Sequence, residues 1–140
     1  MMKRFCFLAL FSIVFLGIAE TLSYSTIPIV IRPFTIRPAN AIYFTITIPN
    51  NATNISVTGR FEASGGSGNE VEVYIFDQDG FINWENGHQV HAIFASGRMT
   101  QGDIDASIPA PGTYYLVYSN KFSLIANKAV VTEANLNYFQ

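Results

Sequence analysis

In several runs between Ile42 and Tyr138, apolar side chains recur at every second position, and that spacing limits the chain more than anything else in it. Ile42, Phe44, Ile46 and Ile48 alternate with Tyr43, Thr45 and Thr47. Ile55, Val57, Phe61 and Ala63 alternate with Ser56, Thr58, Arg60 and Glu62. Val71, Val73 and Ile75 share one face, with Glu70 and Glu72 opposite. Val130, Ala134, Leu136 and Tyr138 alternate with Glu133, Asn135 and Asn137. A period of two belongs to a strand with one buried face and not to a helix. Tyr114 to Tyr118 is apolar on both faces, the mark of a central strand. Residues 88–95 and 103–108 carry weaker versions of the pattern, and Gly59 interrupts an apolar face, signalling a bulge or a close backbone approach.

Turn chemistry falls between these runs. Pro49-Asn50-Asn51, Gly65-Gly66-Ser67-Gly68, Asp79-Gly80, Asn86-Gly87 and Pro109-Ala110-Pro111-Gly112 are turn or loop signals, and strands recur every 10–15 residues. No window of eleven residues after the leader reads as helix. The expected fold is therefore all-β, an antiparallel β-sandwich of jelly-roll type with roughly eight strands over residues 41–140. Residues 20–40 read as an extended lead-in. Pro28, Pro33 and Pro38 exclude a central strand there and leave room only for an edge strand.

Residues 1–19 read as a signal peptide. Lys3 and Arg4 precede an apolar run from Phe5 to Ala19, and Gly17 and Ala19 place small residues at −3 and −1 of a cut before Glu20. The run is short for a membrane span, which needs about 20 apolar residues; an uncleaved anchor is the alternative. The expected location is secreted or periplasmic, with no stable membrane insertion after processing. The lone Cys6 lies inside the leader, so the mature chain holds together by its core alone.

Composition excludes some partners. The chain has 8 basic and 10 acidic residues and a net charge of −2, and loss of Lys3 and Arg4 deepens this to −4. That is no electrostatic footprint for nucleic acid. Aromatic content of 14% supplies apolar surface that disordered chains lack. His88 and His91, three apart on a strand, face opposite ways and cannot share a metal ion; no metal and no cofactor is expected.

Candidate chemistry gathers in one short stretch. Asp77-Gln78-Asp79-Gly80 reads as a hairpin turn; the alternative is a calcium loop using Asp77 and Asp79, with Glu85 and Asn86 completing the oxygens. Phe81, Asn83, Trp84, Asn86 and His88 follow, with Tyr74 just before. Aromatic rings beside amides can stack on a sugar or anchor a peptide, so these five are the candidate ligand contacts. The rival reading folds Phe81 and Trp84 back over the end of the core. Asp77, Asp79, Asp103 and Asp105 could serve a small exported hydrolase, although no nucleophile elbow is present. Asn51-Ala52-Thr53 and Asn54-Ile55-Ser56 are glycosylation acceptors in a eukaryotic host.

The run Gly112-Thr113-Tyr114-Tyr115-Leu116-Val117-Tyr118-Ser119-Asn120-Lys121-Phe122-Ser123, with Lys128 and Val130 after it, resembles the closing strands of GOLD (Golgi dynamics) domains. Ile55 to Asp77 is similar to the family's Gly-containing strand, Gly-rich break and Ile/Val strand. The resemblance implies a compact jelly-roll sandwich that binds a partner without catalysis. It departs from cargo receptors of that family in lacking their cysteine pair, coiled coil and membrane span, so their trafficking role is not carried over. Read on their own chemistry, Tyr118 and Phe122 are candidate core anchors and Ser119-Asn120 a turn. The expected function is a small secreted binding module for a protein or glycan.

Overall fold

The computed structural model describes residues 17–140. Nine strands and one helix follow in chain order: β1 (Tyr24–Ile31), β2 (Phe34–Ile36), β3 (Ala41–Ile48), β4 (Thr53–Ser64), β5 (Val71–Asp77), α1 (Gln78–Glu85), β6 (Phe94–Met99), β7 (Gln101–Ser107), β8 (Gly112–Ser119) and β9 (Lys128–Phe139). Every strand pairing is antiparallel. The first sheet runs β1-β9-β4-β7 with β2 also on β9; the second runs β3-β8-β5-β6.

The order has a simple origin. β1 pairs with β9, β3 with β8, β4 with β7 and β5 with β6. The chain is thus one long antiparallel hairpin, rolled so that successive pairs fall on alternate sheets, which is a jelly roll. The tip of that hairpin is the segment between β5 and β6, where α1 sits.

β1 and β2 act as one strand interrupted at Arg32-Pro33. Tyr24 to Ile31 pair with the second half of β9 and Phe34 to Ile36 with its start. Seven of the nine strands, β3 to β9, lie in residues 41–140, and β1 with β2 adds one interrupted strand before them. Residues 24–36 do not lead into the sandwich but belong to it, as an edge strand. An edge is the one place where the missing N–H of Pro28 is harmless, and the register shifts between Pro28 and Val30. The leader reading falls mainly on residues 1–16, outside the described residues; Gly17 to Ser23 are exposed and outside any element.

Inward-facing residues form the core between the sheets. Val57, Val71, Val73, Ile75, Leu116, Val130 and Ala134 are fully buried. Removing a side chain of this size from water contributes roughly 1.5–3 kcal/mol. β8, apolar on both faces, lies between β3 and β5 as expected of a central strand. Gly59 marks a close approach: it pairs with Ala134 on one side and Ile104 on the other, both in unshifted register. The weak strand expected at 88–95 starts later, at Phe94. His88 and His91 stand exposed outside it.

Asn120 fastens the connection after β8. Its backbone N–H donates to Asn40 O at 2.8 Å, and its side-chain amide donates to the carbonyls of Arg37 (3.1 Å) and Ala126 (2.8 Å). It therefore ties the β2–β3 link to the β8–β9 loop and does more than turn the chain. Phe122 is not a core anchor. It is half-buried, with the Arg98 guanidinium 4.4 Å from its ring centroid.

Tyr118 does anchor the core, and it links the sheets. Its hydroxyl lies 2.6 Å from Thr132 Oγ1, which donates to Arg60 O at 2.8 Å. Thr132 has one proton and gives it to Arg60, so Tyr118 is the donor in the first bond. Burial pushes the Tyr118 hydroxyl up to about 12 from its ordinary 10.0. Because the folded value is the higher one, stability is unaffected below pH 10 and falls between pH 10 and 12, where the unfolded chain ionises first. Two pKa units correspond to roughly 2–3 kcal/mol. Tyr118→Phe is expected to remove that part of the alkaline loss, read as a flatter melting-temperature profile above pH 10. An unchanged profile would show that Tyr118 is not the group responsible.

Candidate functional site

The stretch read as a turn is a capped helix. Asp77 Oδ1 accepts from Gly80 N–H at 2.7 Å, the bond of an N-cap aspartate. At the other end Asn86 N–H and its side-chain amide both donate to Ile82 O, at 3.2 and 3.0 Å. Gly87 follows with a φ of 76°, the left-handed residue that ends many helices. Asp77 and Asn86-Gly87 are thus start and stop signals placed too close together for an eleven-residue window to register. The cap competes with the calcium reading, because Asp77 Oδ1 is engaged by Gly80 N–H. Among the described residues, no group of three or more His, Cys, Asp or Glu side chains could hold a metal ion. EDTA should leave the melting temperature unchanged, while Asp77→Ala should cost about 1 kcal/mol through the lost cap. A drop of several degrees in EDTA would restore the calcium reading.

The short helix is held by what lies beneath it. β5 and β8 point Val73, Ile75, Leu116 and Tyr118 inward. Their alternate residues Tyr74, Phe76, Tyr115 and Val117 face out, and α1 covers them. Phe81 and Trp84, three apart on the helix, both reach this face. Phe81 is only 5% exposed and stacks on Tyr115, with centroids 4.2 Å apart and planes 11° from parallel. Tyr43 of β3 packs on Phe81 at 4.8 Å. Trp84 leans on Phe76 at 5.5 Å and on Tyr74 at 5.8 Å. Offset and tilted pairs of this kind each add about 0.5–1.5 kcal/mol beyond the area they bury.

The five predicted contacts therefore divide. Phe81 is buried, so the expectation that it is presented on a loop is corrected: it anchors the helix. Trp84 is half-buried, consistent with folding back over the sheet. Asn83, Asn86 and His88 are exposed, and His88 Nδ1 lies 3.3 Å from Asn83 Oδ1. Lys121, from the loop after β8, places its Nζ 3.9 Å from the Trp84 ring centroid. Tyr43, 50% exposed, and Ile82, 48% exposed, complete the outer surface. The sequence reading missed Tyr43, Tyr115 and Lys121 because strand pairing and the β8–β9 loop bring them to α1 from distant positions.

Along the same face Glu72 receives Arg98, with Nε 3.5 Å from Oε1. The Tyr74 hydroxyl is pushed up to about 12, chiefly by burial and then by the negative charge of Glu72, with Arg98 opposing. The result is a platform of stacked rings edged by one cation and by an ion pair.

The four aspartates of the hydrolase reading do not meet. Asp77 and Asp79 lie at the start of α1, on the second sheet. Asp103 and Asp105 face outward on β7 of the first, opposite Arg60 and Thr58. On that first sheet Ile31, Pro33, Arg60, Glu62, Asp103, Val131 and Glu133 line an open groove of about 770 Å³. It is floored by β9 and β4 and walled by the break at Arg32-Pro33. Arg60 Nε is 3.5 Å from Glu133 Oε1, an exposed pair worth little energetically. Asn51 and Asn54, the two acceptor asparagines, are exposed at the start of β4. Among the described residues, no helix is long and apolar enough to cross a membrane.

No family model and no curated protein matches the chain. Among solved structures it is similar to PliG of Aeromonas hydrophila, a periplasmic lysozyme inhibitor of g-type lysozyme. The two share 14% identity over 84% of this chain and 86% of that one, with a TM-score of 0.38. A likeness that distant leaves the fold to rest on the strand order above.

Proposed function

We propose that the chain is an exported, non-enzymatic binding module, secreted or periplasmic, whose partner is a protein contacted through the α1 platform. One observation carries this reading: the Lys121 ammonium stands 3.9 Å over the ring of a half-exposed Trp84. A sugar would need that ring face free, and the cation occupies it. A protein partner needs instead a rigid aromatic anchor beside a charge and some apolar surface. Trp84, Lys121, Tyr43 and Ile82 supply these on a platform already ordered by stacking, so little is lost in ordering it on contact. Asn83, Asn86 and His88 form its polar rim.

The separation of Asp77 and Asp79 from Asp103 and Asp105 supports the non-enzymatic part of the reading. Kinship with GOLD-like domains belongs to the same proposal. Its support is the jelly-roll order together with Tyr118 and Asn120, the two motif residues most deeply used by the fold.

The test is retention of a partner by immobilised exported protein from an extract of exported proteins. Ile82→Asp, a surface change expected within about 0.5 kcal/mol of neutral for folding, should weaken retention at least about tenfold, the effect of losing one contact worth about 1.4 kcal/mol. Lys121→Glu should do the same. Retention indifferent to both changes would overturn the site. Selective binding on a glycan panel would replace the protein partner, and hydrolysis of an ester, glycoside or peptide lost in Asp79→Ala would restore the enzyme.

A further inference from the structure

A sandwich has four sheet edges, and three of these carry a device that discourages pairing with another chain. β1 has Pro28 and a register shift beside it. β6 has Gly97 at a φ of 68°, and its register on β5 shifts between Glu72 and Tyr74. β7 carries Asp103 and Asp105 outward. β3 has none. Ala41 to Ile48 pair with β8 in one unbroken register, and the strand AIYFTITI contains no charge, no Pro and no Gly.

The side of the sandwich that β3 borders is also where the core reaches solvent. Ile29, Phe34, Ile42 and Phe44 pack against the core but remain half-buried. Ile27 of the neighbouring β1, opposite the inward-facing Leu136, is exposed. Apolar surface gathered beside an unprotected edge marks a contact surface.

We propose that β3 pairs antiparallel with β3 of a second copy of this chain about a two-fold axis. Charge and side-chain complementarity select that occupant. Other edges carry charge that could meet its like in a copy: Arg98 on β6, and Asp103 and Asp105 on β7. β3 is uncharged and complementary to itself. Faces match only when opposed residues share parity, which leaves axes through Phe44 or Thr45 as the central choices. Arg32 decides between them. Its guanidinium lies 5.8 Å from the Phe44 ring centroid, so an axis through Phe44 would bring two arginines together. An axis through Thr45 sets Thr45 against Thr45, Phe44 against Ile46, Ile42 against Ile48 and Tyr43 against Thr47. Every pair is then apolar with apolar on the inner face, or aromatic or hydroxyl with hydroxyl on the outer one. The interface is isologous and closed, two four-stranded sheets becoming one of eight.

This pairing shares only Tyr43 with the α1 platform, and its test reads mass and not partner binding. Sedimentation of the purified exported protein up to about 100 μM, well above a micromolar Kd, should give twice the monomer mass. Thr45 faces solvent, so Thr45→Lys should keep the melting temperature within a few degrees while raising the dimer Kd at least about tenfold, because it sets two ammonium groups against each other. Thr45→Val should stay dimeric. Thr45→Cys should form a disulfide-linked dimer on oxidation, since opposed cross-strand residues bring Cβ atoms to about 4.5–5.5 Å. Thr58→Cys, on the outer face of the other sheet, should form no more than the wild type. A monomer throughout the range would overturn the proposal. So would a dimer that Thr45→Lys leaves intact or Thr45→Cys cannot lock, and so would protection of β3 that appears only when a foreign strand is supplied.

Discussion

Gly59→Val should lower the melting temperature by on the order of 10 °C, as overpacking of about 3 kcal/mol does in a domain of this size. A Cβ at residue 59 would lie 2.2 Å from Glu133 O and 2.7 Å from Ala134 Cα. Both are backbone atoms of β9, and β9 cannot retreat without breaking its ladder to β4. The two γ-methyls of valine add to the clash. Thermal melts of Gly59→Val beside Arg60→Ala would check this. The Arg60 side chain is exposed, and its removal should cost little. A Gly59→Val variant as stable as the wild type would mean that β4 and β9 pair in another register.

Phe81→Ala is the second large effect. The ring is 5% exposed and stacked 4.2 Å from Tyr115, so truncation should cost roughly 3–5 kcal/mol. Much of this loss would appear as undocking of α1, because an eight-residue helix has little stability without the face it covers. Trp84 is the only tryptophan, so its fluorescence reports the undocking directly as a red shift. Trp84→Ala should cost less, since that ring is half-buried to begin with. A Phe81→Ala variant with unchanged emission and melting would place the helix elsewhere.

Strand periodicity carried most of the architecture. β3, β4, β5 and β9 fall where alternation places them, because a sheet with one wet face writes its burial directly into the sequence, and β8 falls where a run apolar on both faces marks a central strand. Two elements were harder. β1 alternates poorly and contains Pro28, so its place in the first sheet follows only from pairing with β9, more than a hundred residues away. The helix was hidden by length: Asp77, Gly80, Asn86 and Gly87 serve hairpin turns as readily as helix caps. Trp84 could be singled out from sequence, but its setting could not. Lys121 and Tyr43 reach it through tertiary packing, which no local pattern records. Phe122 misled for the same reason, since an aromatic in a strand-end motif can lie under an arginine as well as in a core.

The rolled hairpin also dictates when the protein can exist. β9 is the last strand to be synthesised, yet in the first sheet it lies between β1, the first, and β4. Backbone bonds between Ser23 and Gln140, at 2.9 and 3.0 Å, close the loop from one end to the other. While residues 128–139 remain in the ribosome, β1 and β4 have no strand between them and the first sheet cannot assemble. Topologies dominated by such distant pairings fold slowly. Until β9 has been made, the chain's own topology holds the first sheet open.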